Sequence, residues 1–286
     1  MRQLRVLVGR NLALFLKNRT NVLLCIFSVG IVMGLYVIFL RDFIIQSVTS
    51  SGLSIRYVKE FTDRLMVSGL LIVLNTTTCF GIMQLSVADA STMKQRDFLI
   101  APVSRFQLEI GYWLSSIIVS FVFTTLTFGG SEIYFILAYG NRVNIGVTFK
   151  CIGTILFSSG MNAGLLLCVM KFMKDTTSFS TFGNLYGMMC GFLAGTYLPY
   201  AMYPQKLRSI LFYFPPMQLT SIIRQIYLSV FRQGLELIGE SLYQPYGVTL
   251  IKGEELITLK EQWSYLLIAL AIVLLIIRLE YSDERR

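Results

Sequence analysis

Residues 89–107 read Asp-Ala-Ser-Thr-Met-Lys-Gln-Arg-Asp-Phe-Leu-Ile-Ala-Pro-Val-Ser-Arg-Phe-Gln, a short charged stretch between two long apolar runs. So many charged side chains are too costly to hold in hydrocarbon, so the stretch is expected to be a connection outside the lipid. Pro102 restricts the residue before it to extended or turned backbone. Ser104 is a residue type that caps helices, which predicts a helix starting near Arg105.

The middle of this stretch has the features of a docking element. Arg96 and Asp97 lead into the apolar residues Phe98 and Leu99, and Pro102 then stops the segment. A charged helix followed by a hydrophobic knob suits insertion into a groove on another protein, with Phe98 as the knob. An ordinary connecting loop is the alternative.

Composition places the chain among integral membrane proteins. Of its 286 residues, 55% are hydrophobic and 14% are charged, whereas a soluble domain has roughly 25% charged residues. The chain has too few charges to coat a soluble surface. Its net charge of +9 would suggest nucleic acid in a soluble protein, but here the basic residues flank apolar runs. We therefore expect lipid headgroups as partners and no nucleic acid.

The fold class expected is an all-α membrane protein forming a single domain over residues 1–286. Residues 1–20 alternate apolar and basic positions at helical spacing, which predicts an amphipathic helix in the membrane interface. A simple basic tail is the alternative. Six apolar runs follow, each near the length that spans the bilayer. They cover residues 21–40, 65–88, 110–137, 147–170, 176–198 and 263–277.

Lysine and arginine predict the orientation of these runs. With the N-terminus inside, the cytoplasmic pieces are 1–20, 89–107, 171–175 and 278–286. They are richer in lysine and arginine than the outside pieces 41–64, 138–146 and 199–262. The bias places both termini in the cytoplasm of a multi-pass cell-membrane protein.

The outside region 199–262 contains two apolar segments that are too short to cross a membrane. Pro199 opens the region, and Pro215 and Pro216 divide the two segments. Short apolar segments of this kind predict re-entrant or interfacial helices, with Pro216 in the first turn of the second. A disordered loop is the alternative. The polar remainder predicts a small outer cap.

Polar and small residues inside the runs indicate contact with protein or water. Asn75 and Thr76 belong to a polar group in the second run, with Phe80 one turn further on. The group predicts either the wall of a substrate path or hydrogen bonds between helices. A stripe of glycines recurs every fourth position of the fifth run and predicts close packing, as across a dimer. A flexible gate is the alternative. The stripe consists of Gly183, Gly187, Gly191 and Gly195.

Residue types argue against catalysis by this chain. It has no histidine, no GxxxxGK[ST] phosphate loop, and no GxSxG or HExxH motif. Its five cysteines lie in apolar runs without CxxC spacing, so we expect no metal site and no bound cofactor. Glu132 is the acid lying well inside a run. An ion-coupled carrier would need more intramembrane charge than that.

The order of these parts resembles the permease subunit of ABC exporters of the ABC-2 type. The loop after the second run is similar to the family's acidic and basic run followed by Leu-x-x-(Ser/Thr/Ala)-Pro-x-(Ser/Lys)-Arg. The segment from Gly195 through Pro204 and Leu207 to Arg224 resembles the family's region after the fifth span. One departure is Pro215-Pro216, where the family often has Asn-Pro.

The resemblance implies a permease that works as a homodimer or heterodimer with separate ATPase subunits, which would bind ATP and Mg²⁺. Residues 89–107 would be the coupling helix, the second and fifth spans would line the path, and the re-entrant segments would cap it. Amphipathic drugs, lipids or peptides are the expected cargo. A polysaccharide or glycolipid exporter is the alternative within the family, and an ion-coupled carrier or a membrane enzyme is the alternative outside it.

Overall fold

Helices make up almost all of the chain that the computed structural model describes, which is residues 2–49, 54–92, 103–170, 172–173, 175–231, 243–252 and 255–283. The helices are α1 (Arg2–Lys17), α2 (Arg19–Leu35), α3 (Arg41–Thr49), α4 (Ile55–Ser91), α5 (Arg105–Tyr139), α6 (Ile145–Met170), α7 (Thr176–Leu193), α8 (Gln205–Leu211), α9 (Pro215–Leu228) and α10 (Leu259–Asp283). A π-helical turn (Tyr36–Leu40) joins α2 to α3, and 3₁₀ turns lie at Tyr200–Met202 and Ser229–Phe231. Between α9 and α10, β1 (Ile251–Lys252) pairs antiparallel with β2 (Glu255–Leu256).

The longest helix, α4, forms the centre of the bundle. Its sequence is apolar on every side from Leu65 to Leu74, so it can be covered all round. It packs against α5, α6, α7 and α9. In contrast, α10 contacts α6 and α9 and leaves most of its apolar surface outward.

Local sequence signals explain where several helices begin. Ser104 caps α5, and the reciprocal hydrogen bonds between Ser104 and Gln107 complete a capping box. The predicted cap is confirmed. Pro215 and Pro216 occupy the first turn of α9, which was predicted for Pro216. Asp175 caps α7, and the hydrogen bond from the Ser178 backbone N–H lowers the pKa of this carboxyl group.

Helices α4, α5, α6 and α10 are each long and apolar enough to cross a membrane. The predicted first run corresponds to α2 with the π-helical turn, and the fifth run corresponds to α7. α7 ends at Leu193 rather than at 198, because Gly195 adopts a left-handed backbone with φ of 67°. The all-α class is confirmed, and the count of six spans stays a prediction.

Residues 41–64 were expected to lie outside the membrane, and that orientation stays a prediction. Apart from Ser54, the described part of this segment is helical. It consists of α3 and the first turns of α4. Four of the charges in this segment form two ion pairs. Arg41 bonds Asp63 at 2.9 Å, and Arg64 bonds Glu60 at 2.9 Å one turn away on the same helix. Paired charges let α4 continue beyond the apolar run.

Candidate functional site

A buried polar cluster lies halfway along α4. The Asn75 amide nitrogen donates to the hydroxyl of Ser159 at 2.8 Å and to that of Thr124 at 3.3 Å. The Asn75 oxygen accepts from the Asn162 amide at 2.9 Å and from the Ser158 hydroxyl at 3.1 Å. These bonds join α4 to α5 and α6. Both polar atoms of the Asn75 side chain are therefore hydrogen-bonded to other residues of the same chain.

The neighbouring threonine is equally enclosed. Thr76 is buried, and its hydroxyl donates to the Ile72 carbonyl of its own helix at 2.9 Å. The structure thus places Asn75 and Thr76 behind the surface of the bundle. Thr77 and Phe80 are the members of this part of α4 that remain partly exposed.

The glycine stripe of α7 packs against the same chain. A Cβ atom added at Gly183 would lie 1.9 Å from Cζ of Phe80, and one added at Gly187 would lie 3.3 Å from Cγ2 of Thr77. The Phe80 ring also stacks on Phe179 of α7, with 4.5 Å between ring centroids. These glycines let α7 approach α4 closely. A contact of the stripe across a dimer stays a prediction.

The rest of the stripe packs at the C-terminal end of α7. A Cβ atom at Gly191 would lie 2.1 Å from the Tyr197 ring, and Gly195 ends the helix with its left-handed backbone. Pro199 follows and precedes the 3₁₀ turn Tyr200–Met202.

Helices α4 and α7 together present a surface of mixed polarity, which we call the α4–α7 face. On α4, Gln84 donates to the Ser180 hydroxyl of α7 at 2.8 Å. On α7, exposed polar and apolar side chains lie close to one another. They include Thr181, Asn184, Leu185 and Met188. An exposed asparagine in the middle of such a helix needs water, a ligand or another protein beside it.

At the other end of α4, a buried carboxylate joins three helices. Asp89 accepts from the Arg10 guanidinium of α1 at 2.7 Å and from the Tyr112 hydroxyl of α5 at 2.6 Å. Beside it, the buried Asn11 of α1 donates to the Ser115 hydroxyl of α5 at 3.3 Å. The amphipathic helix α1 is thus bonded to the end of α4 and to the start of α5.

These helix ends flank the predicted docking element. α4 ends at Ser91 and α5 begins at Arg105, so both leave the bundle at the end held by Asp89. The docking residues themselves lie outside the described part of the chain. They are Arg96, Asp97, Phe98, Leu99 and Pro102.

The region after α7 is held by a fully buried arginine. Arg224 of α9 donates to the Gly195 carbonyl at 2.7 Å and to the Tyr246 carbonyl at 2.8 Å. Burial lowers the pKa of Arg224 to about 10, so the side chain remains charged at neutral pH. It ties α9, which starts at Pro215 and Pro216, to the end of α7 and to the residues before the β-hairpin.

The family model of the ABC-2 type transporter matches residues 2–228, which include α1 to α9. The chain belongs to the ABC-2 type transporter family. Neither a curated protein nor a solved structure matches it. This permease is accordingly a membrane-embedded transport subunit rather than a catalyst itself, of a family that normally works with ABC ATPase partners.

A second polar cluster of the permease was not found by sequence reasoning. Asp63 of α4 accepts from the hydroxyls of Tyr139 at 2.6 Å and Tyr134 at 2.9 Å, both on α5. It also accepts from the Tyr36 hydroxyl and from Arg41. A π-helical turn bonds residues about five positions apart, so Tyr36 and Arg41 lie on one face. The signal available in the sequence was the group of charges directly before the second apolar run.

Arg64 beside this cluster is enclosed by aromatic rings. Its guanidinium carbon lies 4.6 Å from the centroid of Phe135 and 4.6 Å from that of Tyr227. The cluster therefore stabilises the opposite end of α4 from Asp89, through ion pairs and cation–π contacts. Glu132 lies half-buried on α5. Within the described ranges, no group of His, Cys, Asp and Glu is arranged to hold a metal ion.

Proposed function

We propose that this permease is the membrane part of an ATP-driven exporter of amphipathic drugs, lipids or peptides. Two permease subunits, identical or different, face each other across the α4–α7 face and pair with separate ATPase subunits that bind ATP and Mg²⁺. Both termini and residues 89–107 lie in the cytoplasm. The region 199–262, with α8 and α9, covers the outer end of the path.

The observation that carries the proposal is the mixed polarity of the α4–α7 face in a chain of this family. A path for amphipathic molecules needs apolar surface together with polar groups that bind without trapping the cargo. Phe80, Gln84 and Asn184 supply both kinds of contact on adjacent helices. Asn75 and Thr76 support this wall from behind by holding α4 in place.

The end of the bundle beside residues 89–107, which we call the docking end, suggests how the ATPase acts on the path. Residues 96–102 are proposed to sit in a groove of the ATPase, with Phe98 as the buried knob. A displacement there reaches the ends of α4 and α5, and the bonds of Asp89 move α1 with them. Because α4 is one continuous helix from Ile55 to Ser91, it carries the movement to the outer end.

Transport in inverted membrane vesicles tests the proposal. We expect an amphipathic fluorescent dye or peptide to accumulate inside vesicles that contain the permease and its ATPase when ATP is added. Phe80→Ala should change the KM for the transported molecule. The matched control Phe149→Ala, at an exposed position on α6, should not. Accumulation that needs an ion gradient and not ATP would overturn the proposal in favour of an ion-coupled carrier.

A further inference from the structure

A crevice of about 340 Å³ opens between α5, α6 and α10, and none of its lining residues belongs to α4 or α7. Its size falls within the range of roughly 300–1,000 Å³ that is usual for small-molecule sites. The lining is apolar except for one arginine. It consists of Phe106, Ile110, Trp113, Leu167, Leu274, Ile277 and Arg278.

Apart from Arg278, the walls of the crevice present no polar side-chain group that needs a hydrogen-bond partner. The Trp113 indole N–H donates to the Gly160 carbonyl of α6 at 3.4 Å, so its ring faces the crevice as apolar surface. Gly164 of α6 lets α10 approach, since a Cβ atom there would lie 2.8 Å from Val273. The cavity therefore suits a hydrocarbon chain and offers nothing to a polar ligand.

The single charge lies where a headgroup would be. Arg278 is exposed and makes no ion pair with any described side chain. It is one turn beyond Leu274 on the same face of α10, so its guanidinium extends from the apolar crevice toward the membrane surface. An arginine in this position complements the phosphate of an anionic lipid.

The neighbouring surface indicates that lipid reaches the crevice. Leu267, Ile268, Ile272 and Leu275 of α10 are all exposed, and this helix is the least covered of the four membrane-crossing candidates. Polar side chains of the kind found on the α4–α7 face do not interrupt this described surface. Such an uninterrupted apolar face is typical of contact with acyl chains.

We propose that the crevice binds an anionic phospholipid, with one acyl chain against Trp113 and Leu274 and the headgroup phosphate on Arg278. This lipid is a bound partner of the subunit and is separate from the cargo. The site tethers α10 to α5 and α6 at the docking end of the bundle.

Tryptophan fluorescence in nanodiscs tests this site. The chain has two tryptophans, so Trp263→Phe leaves Trp113 as the reporter. Phosphatidylglycerol or phosphatidylcholine with brominated acyl chains, which quench tryptophan on contact, is titrated into unbrominated phosphatidylcholine. We expect brominated phosphatidylglycerol to quench Trp113 at about fivefold lower mole fraction than brominated phosphatidylcholine.

Substitutions at three lining residues, with two controls elsewhere on α10, show whether the lining causes the preference for phosphatidylglycerol. Arg278→Gln should remove the difference between the two headgroups, whereas Lys260→Gln at the other end of α10 should keep it. Leu274→Phe should weaken quenching by both lipids, with Leu275→Phe as the control on the exposed face. Trp113→Phe, which leaves Trp263 as the reporter, should show no headgroup preference.

Two results would overturn the proposal. One is equal quenching of Trp113 by the two headgroups in the protein with Arg278 intact. The other is protection of Trp113 from both lipids, which would mean that a protein surface such as a second copy of the chain covers the crevice.

Discussion

The carboxylate of Asp89 lies 2.7 Å from the guanidinium of Arg10, and this ion pair bonds the amphipathic helix α1 to the end of α4. Asp89 is 6% exposed, so its charge needs this partner. The Tyr112 hydroxyl supplies a further hydrogen bond from α5. The helices around the predicted docking segment are therefore connected through one carboxylate.

Removing the charge of Asp89 should loosen this connection. We expect Asp89→Asn to lower the free energy of unfolding by about 1–2 kcal/mol. The loss is moderate because Arg10 is partly exposed, so water can still solvate its charge when the carboxylate is gone. Thermal unfolding of the purified permease measures the change. Arg5→Gln, on the exposed side of α1, should have little effect. If Asp89→Asn and Arg10→Gln were additive in a double-mutant cycle, the two residues would not be coupled.

The cluster around Asn75 should contribute to stability. We expect Asn75→Ala to lower the free energy of unfolding by about 2 kcal/mol, because it leaves buried polar partners on α5 and α6 without hydrogen bonds. Thr181→Ala is the control, since the Thr181 hydroxyl is exposed and bonds only to its own helix. Equal unfolding temperatures for the two variants would refute the importance of this cluster.

The approach of α7 to α4 at Gly183 should tolerate no side chain. We expect Gly183→Ala to cost about 1–3 kcal/mol of stability, because the new methyl group displaces the Phe80 ring. Gly183→Ala should destabilise the protein less when Phe80→Ala is already present. Gly153→Ala on α6, where the added Cβ meets no atom within 4 Å, should be neutral or stabilising. A Gly183→Ala permease as stable as Gly153→Ala would contradict this packing.

Arg224 should hold the outer region to the end of α7. We expect Arg224→Met to lower the free energy of unfolding by about 2–3 kcal/mol, because the Gly195 and Tyr246 carbonyls lose a charged donor. The free energy of unfolding of Arg224→Lys should lie between those of Arg224→Met and the unsubstituted protein. Lysine keeps the charge but lacks the planar guanidinium that donates to both carbonyls. Lys206→Met, which removes an exposed cation from α8, is the control. If Arg224→Met had the same free energy of unfolding as the unsubstituted protein, other contacts would be sufficient to hold this region to the end of α7.

Local signals in the sequence predicted much of the fold. Ser104 with Gln107, Pro215 with Pro216, and the apolar runs each specify structure through neighbouring residues, so their helices could be placed from the sequence. The second run was predicted to begin at residue 65, whereas α4 begins at Ile55, because the sequence does not show which charges before the run are paired. Asp63 and Arg41 become partners only once α3 is folded against α4.

The candidate site was less predictable than the fold. The polar group at Asn75 was recognised, but its partners lie on α5 and α6, far along the chain, and no local periodicity identifies them. The glycine stripe indicated close packing, but which surface it meets depends on the rotation of α7. The crevice at Trp113 likewise exists only where α5, α6 and α10 converge.

Binding of the ATPase through residues 96–102 is the central claim of the proposed function. The permease is expressed with its ATPase, and co-purification of the two is measured after this segment is replaced by a glycine–serine linker of equal length. We expect normal membrane insertion and loss of the ATPase, with Phe98→Ala weakening co-purification and Lys94→Ala leaving it intact. Retention of the ATPase by the correctly inserted linker variant would contradict the claim.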